Sequence, residues 1–457
     1  MGRPHVLAMP YPAQGHVIPL MELAQWLAHN GIRVTFVNTD FNHARVMSSL
    51  SRISELITLA SVPDGLEPWE DRNDLAKLES SMPEAVPPAL EALIEKINTT
   101  ESDRVTCLIT DYGLIWALSL ADKLGIKKSA FLPAPVALLA LSRHCKSLLD
   151  EGIVDGDGTP LKADHVIHLS PKMPAMKIQE AVWLQIGDFS SQQRMFQSMA
   201  RNIKAETLPD WIICNSSHEL EAGALKLLPD LIPVGPLLSS ARQGQSAGLF
   251  WPEDSACLCW LDMQPPNSTV YVAFGSFTLL DESQFHELAL GLERSGRPFL
   301  WVVRPDMTQD AEKCFPEGFK ERVGSRGKMV EWAPQQRVLS HPSLACFVSH
   351  CGWNSTMEGV CGGVPFLCWP YFADQFLNQC YIVDVWRVGL RLEKDRSRVV
   401  AAGEIVEKVE ILLGDGGYKD RVRSLGSKTL ESVRGGSSCK NLTSFVEWIK
   451  DDKSCLE

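Results

Sequence analysis

The residues best suited to chemistry lie between Trp332 and Gln375, in WAPQQRVLSHPSLACFVSHCGWNSTMEGVCGGVPFLCWPYFADQ. Cys346–Ser349 is a short apolar run ending in His350, and it reads as a buried strand. Gly352 follows, then Asn354 and Ser355 as candidate helix caps, then Thr356–Cys361 in helical spacing. A strand, a glycine turn and a helix start gather unpaired backbone N–H groups and a positive dipole end at one point. That arrangement suits a diphosphate. An Asp374–Gln375 pair closes the stretch.

A second pair lies far upstream. His16 follows Gly15 where the first predicted strand turns into a helix, and Asp111 ends the predicted strand Val105–Thr110. Spacing alone favours capping roles for both. If they meet, a histidine with an orienting carboxylate is a general base for a hydroxyl.

The elements that must position these residues follow a repeating pattern. His5–Tyr11 reads as a strand, a helix runs from about His16 to Gly31, and Ile32–Asn38 is a second strand. This βαβ pattern recurs with Val105–Thr110, the helix Trp116–Leu124 and the strand Ser129–Leu132. Trp211–Asn215 and Leu231–Val234 complete the first half. Leu238–Ser255 is small, polar and without period, so it reads as a linker. A second α/β run starts at Thr269–Gly275 and continues through the helix Asp281–Arg294 and the strands Pro298–Val303 and Lys328–Glu331. Helical segments are expected at Gln375–Trp386, Gly403–Leu413, Tyr418–Val433 and Cys439–Lys450.

At 457 residues, two domains of about 200 residues each are expected. A formal net charge of −12 argues against nucleic acid as a partner. No secretory h-region and no apolar run long enough to span a membrane is visible, so the chain reads as cytoplasmic. Thirteen scattered cysteines, with no Cys-x-x-Cys pair, fit a reducing compartment rather than zinc. Gly244–Gly248 matches a hydrolase elbow but lacks the strand and helix that motif needs. His286-Glu287 begins a metalloprotease pattern, yet Leu290 stands where the second histidine is required.

The 332–375 stretch resembles the signature box of the plant secondary-product UDP-glycosyltransferases. The likeness lies in WAPQ, the HCGWNS core, the glutamate three residues after it and the closing DQ. The AQGH, TDYG and VAFGS segments resemble that family too, so the likeness spans essentially the whole chain. It implies an α/β GT-B fold, two Rossmann-like parallel-sheet domains facing across a cleft. The expected divisions are an acceptor-binding domain at 1–238, a linker at 239–255 and a donor-binding domain at 256–436. A final helix at 437–457 would pack back on the N-terminal domain.

By this resemblance, Trp332 stacks on uracil with Ala333 and Gln335 beside it, and Glu358 accepts from the ribose hydroxyls. His350, Gly352, Asn354, Ser355 and Ser276 cradle the diphosphate, while Trp353, Asp374 and Gln375 hold the sugar, with glucose the expected one. No Asp-x-Asp site accompanies the cradle, so neither metal nor cofactor is expected and UDP-glucose is a co-substrate. His16 is the implied catalytic base, oriented by Asp111. Val136, Leu139, Trp183, Phe189, Tyr371 and Phe372 are candidates for an apolar acceptor pocket, although each could equally serve a core. The implied activity is inverting transfer to a hydroxyl or carboxyl of a small lipophilic acceptor: a flavonoid, other phenolic, terpenoid or steroid. A monomer is expected. The alternatives are an epimerase or hydrolase acting on UDP-sugars, or a non-catalytic nucleotide-sugar binder.

Overall fold

The computed structural model describes residues 3–49, 53–100, 104–239, 250–251, 253–308 and 314–451. Most of the expected linker therefore lies outside the described residues. The chain divides into two compact units, Met1–Trp251 with Glu431–Glu457, and Pro252–Leu430.

In the first unit the strands are β1 (His5–Met9), β2 (Arg33–Thr39), β3 (Ile57–Val62), β4 (Cys107–Asp111) and β5 (Lys127–Leu132). A two-residue antiparallel pair follows, β6 (Val166–Ile167) and β7 (Met176–Lys177), then β8 (Trp211–Cys214) and β9 (Leu231–Pro233). All but β6 and β7 form one parallel sheet in the order β3-β2-β1-β4-β5-β8-β9. Runs such as VLAM and CLIT are apolar without alternation because both faces of the sheet are covered.

The second unit repeats the plan. Its strands are β10 (Thr269–Ala273), β11 (Phe299–Val302), β12 (Gly327–Val330), β13 (Leu344–Ser349), β14 (Phe366–Cys368) and β15 (Gly389–Arg391). They form a parallel sheet in the order β12-β11-β10-β13-β14-β15. Each sheet is laid down outward from its centre in one direction and then resumed on the other side. The reversal falls between β1 and β4 in one unit and between β10 and β13 in the other.

Several expected elements take a different form. The 112–124 segment is a 3₁₀ turn, Tyr112–Leu118, running into the helix Ser119–Leu124, which Gly125 ends in the left-handed conformation. The segment after Pro135, given no element above, forms the helix Val136–Asp150. Its first amides, Val136 and Ala137, donate to the buried carboxylate of Glu221 at 2.9 Å each. The segment from Gln375 is an α-helix to Cys380 followed by a π turn, Tyr381–Val385.

The last helix, Ser437–Lys450, belongs to the first unit. Asn441 donates to the Pro233 carbonyl at 2.8 Å, and Phe445 and Trp448 lie against Trp211 with centroids 5.6 Å apart. Lys127, almost wholly buried, donates from Nζ to the carbonyls of Trp448 and Asp451, satisfying acceptors that a helix end leaves open. Leu442, Phe445, Val446 and Ile449 thereby join the core. No helix among the described residues is long and apolar enough to cross a membrane.

Because Phe445 has no exposed surface, Phe445→Ala is expected to cost about 3–5 kcal/mol of unfolding free energy. Urea unfolding followed by tryptophan fluorescence measures it. A loss under about 1 kcal/mol would show that this helix is dispensable to the core.

Candidate active site

In the first unit, His16 and Asp111 meet. Asp111 is the last residue of β4, and His16 is the third residue of the helix Gln14–His29 that follows β1. The two residues thus come from the two strands that flank the reversal. His16 Nδ1 lies 2.8 Å from Asp111 Oδ2, while Asp111 Oδ1 accepts from the Gly113 amide at 2.8 Å. The buried carboxylate is therefore held at both oxygens. An ionised carboxylate can only accept, so Nδ1 carries the imidazole proton and Nε2 keeps a lone pair. The His16 side chain is 35% exposed and that of Asp111 only 1%, which leaves the histidine as the partner that can meet a substrate. Gly113 has a steric role. A Cβ there would come within 3.3 Å of Asp111 Oδ1 and of the Tyr11 ring.

Glu79, on the helix Leu75–Ile97, belongs to the same neighbourhood, and the sequence reading did not find it. Burial chiefly raises its carboxyl above the ordinary value. A hydrogen bond from Ser198 at 3.0 Å, with Arg201 and His16, pulls it down, and Asp111 pushes it up. Burial, then Glu79 and Asp111, likewise raise Tyr11, whose ring lies 5.2 Å from that of His16. The only sequence signal for this helix was apolar spacing, Leu78, Met82, Val86, Leu90 and Ile94, all buried.

The acceptor candidates divide. Val136, Leu139 and Trp183 are fully packed. Trp183 donates to the Gly158 carbonyl at 2.8 Å and packs edge-on against Phe196. All three are buried among other side chains of the first unit. Phe189 and Tyr371 are 58% and 49% exposed, and Phe372 is half-buried. Tyr371 and Phe372 belong to the second unit and the other four to the first.

In the second unit the box begins after β12, passes through β13 and ends after β14, while Gly275 and Ser276 follow β10. The helix after β13 starts earlier than expected. It spans Trp353–Cys361 with Gly352 at the N-cap, so Asn354 and Ser355 lie in its first turn instead of capping it. No side chain caps this end. His350 sits between two glycines. A Cβ on Gly275, which has φ +68°, or on Gly352 would come 2.5 Å from His350 Nε2. Both glycines are needed to keep the Nε2 edge of the ring bare. Burial first, and then Arg304, lowers the His350 pKa to about 4 against a pull from the Ala273 backbone, so the ring is neutral at physiological pH.

A polar network runs from the box into the sheet. Gln335 Nε2 donates to Ser355 Oγ at 2.8 Å and to Glu358 Oε2 at 2.7 Å, and its oxygen accepts from the Tyr271 hydroxyl at 3.1 Å. Gln336 donates to the other Glu358 oxygen at 3.1 Å. Ala333 is buried and Trp332 half-buried, and the Trp332 carbonyl accepts from Asp254 at 2.9 Å. Gln375 uses Oε1 to accept from the amides of Tyr371 and Phe372 at 2.7 and 3.1 Å, which fixes that turn. Asn378, not anticipated, donates to the Cys351 carbonyl and to Asp374 Oδ2, both at 2.9 Å. It ties the middle of the box to its closing end. Cys351 and Ala373, at these two points, both have positive φ, +64° and +56°. This is a sparsely occupied region for residues with a Cβ, held by the surrounding bonds.

Burial raises the Glu358 carboxyl from 4.5 to about 7. The Gln335 and Gln336 bonds lower it, and Glu253 adds to the rise. The folded protein then holds a proton that the unfolded chain lacks between these values. Stability from this group is complete below about 4.5 and lost as pH rises through about 7. Glu358→Gln is accordingly expected to be more stable than the parent at pH 8 and to lose that advantage at pH 5. Urea midpoints across this range check it, and a parent–variant difference independent of pH would contradict it. Gly352→Ala, at an ordinary negative φ, is expected to fold and to displace His350. Titration with UDP should then show affinity lowered by about tenfold or more.

Residues 248–449 match the family model described as UDP-glucoronosyl and UDP-glucosyl transferase. The chain is 45% identical to UDP-glycosyltransferase 83A1 of Arabidopsis thaliana, over 98% of this chain and 97% of that one. Among solved structures it is similar to Phytolacca americana UGT2 complexed with UDP-2fluoro-glucose and pterostilbene. That match has a TM-score of 0.81 at 27% identity, over 98% and 99% of the two chains. It is also similar to a Polygonum tinctorium UDP-glucosyltransferase capable of glucosylating indoxyl. There the TM-score is 0.83 at 28% identity, over 99% and 100%.

Proposed function

This chain belongs to the plant UDP-glycosyltransferases of GT-B fold, and from that premise we propose that it transfers glucose from UDP-glucose to a hydroxyl of a small lipophilic acceptor with inversion. The observation that carries the catalytic part is the 2.8 Å bond between His16 Nδ1 and the buried Asp111. It leaves Nε2 to take the proton of an acceptor hydroxyl, and the imidazolium that forms faces a fixed carboxylate. The acceptor oxygen then attacks the anomeric carbon as the bond to the diphosphate breaks. One displacement converts an α-linked donor into a β-glycoside, without a covalent enzyme intermediate.

The second unit holds the donor. Trp332, Ala333 and Gln335 take the base, Glu358 the ribose, His350 with Ser276 and the Trp353–Cys361 helix start the diphosphate, and Asp374 with Gln375 the sugar. Leaving-group charge is met by N–H groups, a hydroxyl and the imidazole, which calls for no metal. The glucose assignment is supported by Trp353 and Gln375 at their places in the box, and by the ligand of the Phytolacca americana structure.

Incubation with UDP-glucose, a mixed aglycone panel and EDTA is expected to yield products heavier by one hexose. UDP release without product would favour a hydrolase instead, and loss of transfer in EDTA would contradict the metal-free site. His16→Ala is expected to reduce transfer by about 10³-fold or more while calorimetry shows UDP binding within about twofold of the parent. Asp111→Asn should fold and lose most of the rate, because an amide can present the wrong partner to Nδ1. A His16→Ala enzyme that keeps its rate would remove His16 from the mechanism.

A further inference from the structure

Arg304 is wholly buried just beyond the end of β11, the strand paired with β10. Among the described residues its guanidinium has three directed partners. Nη1 donates to the carbonyl of Gly275, Nη2 to the carbonyl of Thr278 at 2.9 Å, and Nε to Asp306 Oδ1 at 2.9 Å. The two carbonyls belong to the loop after β10, which contains Ser276 and lies against His350 through Gly275. A buried cation is therefore hydrogen-bonded directly to one half of the proposed diphosphate cradle.

For a clamp alone this is a costly choice. A guanidinium taken out of water needs an opposite charge close by. The carboxylate bonded to it, Asp306, has a side chain 53% exposed, so water screens much of its charge. Burial lowers the Arg304 pKa, and Asp306 only works against that. His350 is no alternative source of positive charge, since its ring is neutral at physiological pH. Among the described residues, Asp306 is the one carboxylate bonded to this guanidinium, and a diphosphate seated over Gly275 and Ser276 would add negative charge on the sheltered side.

We propose that Arg304 is a positioning residue for the donor, fixing the Gly275–Thr278 loop through two carbonyls and acting as the buried counter-cation of the diphosphate. The proposal rests on the transferase reading above, and it distinguishes the phosphate-bearing part of the ligand from the nucleoside part. The test is titration of the full-length protein with uridine and with UDP, by calorimetry or ligand-observed NMR, alongside transfer kinetics. Arg304→Met is expected to weaken UDP by about tenfold or more while uridine is unchanged, and to raise the KM for the donor. Arg304→Lys keeps the charge and should recover part of the loss. Asp306→Asn, at an exposed position, should tighten UDP by about twofold without affecting uridine.

Parallel weakening of UDP and uridine in Arg304→Met would reduce Arg304 to a loop clamp and overturn the proposal, as would parent-like UDP affinity. If Arg304→Met does not fold, the other two variants decide. No recovery of UDP selectivity in Arg304→Lys relative to an Arg304→Gln control, or unchanged or weaker UDP binding in Asp306→Asn, overturns it. A parent protein that binds neither ligand would take the transferase reading down as well. A parent that transfers glucose while the variants lack this pattern sinks the Arg304 proposal alone.

Discussion

A parallel sheet whose strands are added outward from a central one must, at some point, return and build in the other direction. The connections on either side of that reversal leave the sheet toward opposite faces, so the strand ends between them stay uncovered. Both sheets obey this constraint, and several candidate site residues of each unit are found at its reversal. His16 follows β1 and Asp111 ends β4, while Gly275 and Ser276 follow β10 and His350 follows β13. One topological rule thus explains why residues 95 positions apart share a hydrogen bond.

Within that constraint the two units solve different electrostatic problems. The first satisfies both oxygens of a buried carboxylate, one from the Gly113 amide and the other from the His16 ring. The second, at the candidate donor site, presents neutral groups. Its histidine is unprotonated, its helix start is uncapped by any side chain, and glycine on both sides of the ring prevents any Cβ from closing the approach. The charge nearest this apparatus, on Arg304, stands behind the loop rather than in it.

The sequence was most legible where a motif and a backbone pattern coincided. A strand, a glycine and a helix start at 346–361 could be read as a site because each residue type has one physical reason to be there, although Gly352 and not Asn354 turned out to cap the helix. Legibility failed where two signals opposed each other. Leu78, Met82, Val86, Leu90 and Ile94 carry helical spacing, but Pro83, Pro87 and Pro88 sit among them, and the helix that brings Glu79 to His16 was passed over. It failed again where only the tertiary fold decides. Nothing in the local sequence distinguishes Trp183, a core residue tied to Gly158, from an aromatic wall, or places Glu221 against the amides of Val136 and Ala137.

The pairing of Glu358 with Gln335 and Gln336 has a bearing on selectivity. The carboxyl is satisfied before any ligand arrives. In the reading given above, a ribose does not fill a vacancy there but exchanges one set of partners for another. Its net contribution is a small difference between two comparable sets of bonds. Recognition of this kind adds little affinity to the correct ligand, yet it penalises a sugar that breaks the amide bonds and cannot replace them. A 2′-deoxyribonucleotide donor, short of one hydroxyl, would meet the enzyme on those terms: tolerated by the base pocket and the phosphate cradle, and rejected by an exchange it cannot complete.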